Sequence, residues 1–124
     1  MLKNRPKHLA LHLIKLPLPC LISILHRASG LALFLALPLL LLTFQYSLAS
    51  IETYTQLQSV MAHPLLKLIA LGLLWSFLHH FCAGVRYLAI DLHYVSNLKQ
   101  ARASSKIVLV VSLILTFFLG VILW

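Results

Sequence analysis

Polar and apolar residues fall into long blocks along this chain. Three blocks are almost wholly apolar, from about 28 to 49, 65 to 90 and 107 to 124, each near the roughly 20 residues an α-helix needs to cross a hydrocarbon core. A polar connection (50–63) and a basic one (93–106) separate them. Backbone groups in hydrocarbon find no water, so a spanning segment must satisfy its own hydrogen bonds, and three segments are too few to close a barrel. The pattern therefore predicts an all-α integral membrane protein. It forms one domain over 1–124, with an N-terminal cytoplasmic segment (1–19) and transmembrane helices at about 21–49, 64–91 and 105–124.

Local chemistry sharpens the boundaries. Leu16-Pro17-Leu18-Pro19 cannot continue a helix, because each proline lacks an N–H and restricts the residue before it. Pro19 suits the first turn of helix one and Pro64 the opening of helix two. Pro38 lies inside helix one, where it is expected to introduce a kink. Gly30, Ala32 and Ala36 give the same helix small residues for close packing. Ser47-Leu48-Ala49 has the small residues of a cleavage site, but the apolar block before it is too long for a signal peptide, so a retained helix is expected.

Charge sets the orientation. Of the 124 residues, 61% are hydrophobic and only Glu52 and Asp91 are acidic, against ten Lys and Arg, for a formal charge of +8. Soluble domains carry roughly a quarter charged residues, so a water-soluble globule is excluded, and with it a soluble nucleic-acid binder. Two carboxylates also leave no cluster for a hard metal. Lys3, Arg5, Lys7, Lys15 and Arg27 precede or open helix one, and Lys99, Arg102 and Lys106 fill the second loop, while the first loop has no Lys or Arg. The positive-inside rule places the N-terminus and second loop in the cytoplasm and the C-terminus outside, with a bacterial inner membrane as the simplest setting. Lys67 is expected to snorkel to the outer headgroups. Cys20 and Cys82 lack any paired spacing and read as small apolar side chains.

Ionisable groups inside a span require a partner or a purpose. Helix one carries Ser23, His26 and Arg27 in its first turns. Helix two carries His79 and His80 deep in the span and Arg86 near its cytoplasmic end. A neutral imidazole at such depth suits haem iron; zinc would need three or four convergent ligands. His8, His12, His63 and His93 lie outside or at the edges of the spans and read as interfacial residues. His79 and His80 point about 100° apart, so they cannot share one iron. The His80 face, with Ser76 and Gly84 a turn away, leaves more room for a flat porphyrin than the His79 face with Trp75 and Ala83. The competing reading is that both imidazoles serve only interhelical hydrogen bonds. Helical rise sets His26 and Arg27 a few ångström nearer the cytoplasm than His80, where Arg27 could grip haem propionates. Ser23 could offer a hydroxyl to a quinone carbonyl, or simply bond its own helix backbone. With so few acids present, the partners of Arg27 and Arg86 are expected mainly from haem propionates or other chains. Asp91, near the cytoplasmic mouth, reads as a partner for a loop Lys or Arg, or as a proton source.

Arg5-Pro6, Leu16-Pro17-Leu18-Pro19 and Ser23-Ile24-Leu25-His26-Arg27-Ala28-Ser29-Gly30 together resemble the N-terminal signature of the cytochrome b subunits of succinate dehydrogenase. His80-Phe81-Cys82-Ala83-Gly84-Val85-Arg86-Tyr87-Leu88-Ala89-Ile90-Asp91 resembles that family's His-x-x-x-Gly-hydrophobic-Arg…Asp motif. Tyr87, Ile90 and His93 depart from the residues common there. The resemblance implies a membrane-anchor subunit of succinate:ubiquinone oxidoreductase. It implies His80 as an axial ligand to a b-type haem shared with a second anchor subunit, Ser23 and Arg27 in the ubiquinone site, and His26 and Arg27 near the haem propionates. An iron–sulfur subunit, a flavoprotein subunit and membrane lipid complete the implied partners, with no role for nucleic acid. By itself such a chain is non-catalytic; it carries neither a flavin fingerprint nor cluster cysteines. The alternatives are the anchor of a related fumarate reductase and a haem-free membrane transport component.

Overall fold

A computed structural model describes residues 15–124; most of the expected N-terminal segment, including Arg5-Pro6, His8 and His12, lies outside the described residues. Among the described residues four helices follow in order: α1 (Leu18–Ala49), α2 (Ile51–Met61), α3 (Pro64–Asp91) and α4 (Leu98–Leu123). Helices α1, α3 and α4 are long and apolar enough to cross a membrane, and no strand occurs among the described residues. The fold is all-α, as the block pattern predicts.

Helix α1 opens on Pro17 as its N-cap, with Pro19 in the first turn, and runs without interruption through Pro38. Its last residue is followed at once by α2, a helix inside the segment expected to be a polar connection. Ser50 makes this abrupt change of direction possible. Its Oγ accepts from the Thr53 N–H at 3.1 Å, while Thr53 Oγ1 accepts from the Ser50 N–H at 3.0 Å. This reciprocal capping box satisfies two amides at the start of α2. Tyr46 Oη then donates to Gln56 Oε1 at 2.9 Å, tying α2 back to α1.

Pro64 takes the first position of α3, and His63 caps it by accepting the Leu65 N–H at Nδ1 (3.2 Å). At the other end the Tyr94 N–H bonds to Ala89 O and the His93 N–H to Ile90 O. These bonds close a Schellman motif in which His93 sits at φ 62°, a conformation glycine adopts more readily. Asn97 Oδ1 then accepts from the Gln100 N–H at 2.8 Å and starts α4 well ahead of 105, so Lys99 and Arg102 of the basic loop are helical.

Helix α3 is central, packing extensively against both α1 and α4, while α1 and α4 touch less. The shared interior is small: Ile22, Ala83 and Val108 contribute one apolar residue from each long helix. Around it α4 buries Ser105, Val108, Ser112 and Thr116, one face of the helix. Each of these hydroxyls donates to its own backbone, Ser105 to Ala101 O, Ser112 to Leu109 O and Thr116 to Ser112 O. Bonding back to the helix removes the cost of a free hydroxyl in hydrocarbon and leaves short side chains that let helices approach closely.

A histidine-lined seam between α1 and α3

The groups singled out in the sequence separate into three environments. His79 points into the bundle with no exposed surface, beside Trp75 at 5.3 Å between ring centroids. Both of its ring nitrogens, Trp75 Nε1 and the Tyr87 hydroxyl are buried without a hydrogen-bond partner among the described residues.

His80, the next residue, faces α1 instead and remains partly exposed. Its ring stacks on that of His26, centroids 4.1 Å apart and planes 12° from parallel. The two rings, expected at slightly different depths, are therefore in contact. His80 Nδ1 lies 3.0 Å from the His26 carbonyl oxygen and 3.3 Å from Ser29 Oγ. A carbonyl only accepts, so it favours a proton on Nδ1, the tautomer that leaves the Nε2 lone pair free. Ser29, buried, donates its own proton to the same carbonyl at 2.9 Å. Gly30 provides the space: a Cβ there would come within 2.8 Å of His80 Cε1. Ser29 and Gly30 belong to the N-terminal motif, but nothing in their spacing alone ties them to a histidine 50 residues away.

Ser23 and Arg27 lie one turn apart on a single face of α1, with Arg27 exposed and Ser23 half-buried. Neither makes a hydrogen bond to the stacked His26 and His80 rings among the described residues. Arg27 presents an exposed cation on a membrane helix.

Arg86 behaves differently from its expected pairing with external acids. It is 7% exposed, and its Nε donates to Ser104 Oγ at 3.0 Å while a terminal nitrogen donates to Ala101 O at 3.3 Å. The guanidinium also lies 5.5 Å from the centre of the Tyr87 ring. Neutral acceptors on α4 and an aromatic face thus hold a cation that the sequence alone left for a carboxylate. Asp91 is exposed at the end of α3. Cys20 and Cys82 are free thiols, and no group of three or more metal-ligating side chains occurs among the described residues.

Comparison with known proteins relates the chain to a family of transmembrane subunits. Residues 1–119 match the family described as succinate dehydrogenase/fumarate reductase transmembrane subunit. A protein of Coxiella burnetii named succinate dehydrogenase cytochrome b556 subunit is 35% identical over 122 residues, covering 98% of each chain. Proteins of the same name from Rickettsia felis and Paracoccus denitrificans are each 30% identical. The first alignment covers 95% of this chain and 92% of the relative, the second 90% and 86%.

Proposed function

The chain belongs to the succinate dehydrogenase/fumarate reductase transmembrane subunit family, and on that premise we propose that it anchors a succinate:ubiquinone oxidoreductase in the bacterial inner membrane. In this reading it holds a b-type haem through His80, with the second axial ligand on another anchor subunit. It also lines, through Ser23 and Arg27, the site where ubiquinone receives electrons from an iron–sulfur subunit. A flavoprotein subunit completes the assembly on the cytoplasmic side.

The observation that carries the haem assignment is the contrast between two neighbouring imidazoles. His79 is sealed inside the bundle, with no surface a porphyrin could meet. His80 sits at a partly open seam with Nδ1 already engaged by a backbone carbonyl, the second bond that metal-bound imidazoles usually make. The names of the relatives, cytochrome b556 subunits, point the same way. When bound, a b-type haem supplies a one-electron couple at this depth. Around it, His80 would be a ligand and His26 and Arg27 would meet the propionates.

Quinone reduction consumes two electrons and two protons. The Arg27 guanidinium favours the negative charge that builds on a partly reduced ring, and the Ser23 hydroxyl donates to a ring oxygen. Arg27 is exposed on α1 and Ser23 is half-buried one turn before it, so the quinone would reach them from the outer surface of the helix, between this chain and its partners.

The test is an absorption spectrum of the complex purified in mild detergent. His80→Ala is expected to abolish or strongly shift the reduced haem bands, and His79→Ala to leave their positions unchanged. The reverse pattern would move the ligand to His79, and two unchanged spectra would remove the haem from this chain.

A further inference from the structure

Two helices meeting at the seam each carry a histidine four residues ahead of a glycine: His26 and Gly30 on α1, His80 and Gly84 on α3. The pairs interlock, Gly30 facing His80 and Gly84 facing His26. They do so unequally. A Cβ on Gly84 would meet His26 Nε2 at 3.9 Å, an ordinary contact, whereas one on Gly30 would lie 2.8 Å from His80 Cε1 and 3.2 Å from Nδ1. The His26 ring is stacked on the His80 ring at 4.1 Å, so a shift of His80 to make room for a Cβ would disturb that stack as well. His80 is held in a slot that only glycine at position 30 leaves open.

The slot has polar groups at Nδ1. The His26 carbonyl and Ser29 Oγ both lie within hydrogen-bond distance of it. The Ser29 proton is committed to that carbonyl, which leaves the Ser29 oxygen to accept. Both polar neighbours of Nδ1 therefore favour a proton on that nitrogen, the tautomer of the neutral imidazole whose Nε2 is free to bind a metal.

We propose that Gly30, Ser29 and the His26 backbone carbonyl form a socket that sets the tilt and the tautomer of His80, making Ser29 and Gly30 positioning residues for the iron ligand. The proposal rests on the reading of His80 as that ligand. Outer-shell partners of this kind orient a metal-bound imidazole and adjust its donor strength.

The experiment compares the whole purified complex carrying Gly30→Ala, Ser29→Ala or His80→Ala with the unaltered one. Haem retained per complex, the low-spin electron paramagnetic resonance signal of the oxidised haem and its midpoint potential are measured. His80→Ala is expected to eliminate the low-spin signal. Gly30→Ala should move its largest g-value and weaken haem retention by roughly 10-fold. Ser29→Ala should retain haem but shift the midpoint potential. A purely structural Ser29 would lower thermal stability and leave both potential and g-value in place. Wild-type signals and retention in both Ser29→Ala and Gly30→Ala, alongside a lost signal in His80→Ala, would overturn the socket and leave the ligand assignment standing. An unchanged His80→Ala spectrum would remove the ligand assignment and the socket with it. Should Gly30→Ala prevent assembly, Ser29→Ala, which deletes a single oxygen, decides the matter.

Discussion

A helix turns about 100° between neighbouring residues, and at positions 79 and 80 that rotation separates a sealed imidazole from one in a seam. The same rotation divides His26 from Arg27 on α1, one side chain joining the stack and the other pointing out of the bundle. Chemistry at the single-residue scale therefore depends on which neighbour a side chain is turned toward. For the proposed quinone residues, loss of the guanidinium in Arg27→Ala is expected to lower quinone reduction by about 100-fold, the order seen when a charge-stabilising donor is removed. Ser23→Ala, which deletes one neutral hydrogen bond, should cost about 10-fold. Electron delivery from the soluble subunits to an artificial water-soluble acceptor should be unaffected in both variants. Unimpaired quinone reduction in both would dismiss Ser23 and Arg27 from the site.

At the scale of elements, helix ends decide more than helix interiors. Pro17 opens α1 without a side-chain bond, Ser50, His63 and Asn97 each start a helix by a side-chain cap, and the Ser50–Thr53 pair creates α2 where hydropathy shows only a polar loop. That signal was present in the sequence as Ser50-x-x-Thr53, but its threonine stands where a capping box more often has Glu or Gln. The junction of α3 and α4 depends on Arg86 reaching Ser104 and Ala101. Ser104→Ala leaves the Nε of a buried cation without its acceptor and is expected to destabilise the complex by about 1–3 kcal/mol. Thermal unfolding of the detergent-solubilised complex reads this out, and Ser104→Thr, which keeps the hydroxyl, should restore the melting temperature. Equal melting in Ser104→Ala and wild type would show that the bond adds nothing.

For the whole molecule, charge and exposure act together. Lys99, Arg102 and Lys106 lie at the start of α4, and Glu52 lies on α2 at the opposite end of the bundle. The charge rule makes a cytoplasmic N-terminus and an outer C-terminus the expected orientation. Alkaline phosphatase fused after Trp124 is expected to be active, and the same enzyme inserted between α3 and α4 inactive; the opposite result would invert the orientation. Much of each spanning helix is large, exposed and apolar, including Phe34, Leu39, Phe77, Phe81 and Phe117. Lipid or partner helices must cover these side chains, and exposed Arg27 falls on such a surface. Such a surface suits a bundle that packs in lipid or against further helices.

The sequence by itself determined that the chain spans a membrane three times as helices, because apolar length and the lack of water in hydrocarbon leave no other solution. Its paired motifs also carried the family. Residue spacing could narrow the buried histidines to two adjacent candidates, yet it could not say which faced another helix. Only tertiary packing decided that His79 is enclosed, that His80 rests on Gly30 and the His26 carbonyl, and that Arg86 is met by neutral groups on α4. These depend on the rotation and register of one helix against another. Contacts between residues some fifty positions apart fix both, and periodicity within a single segment cannot encode them.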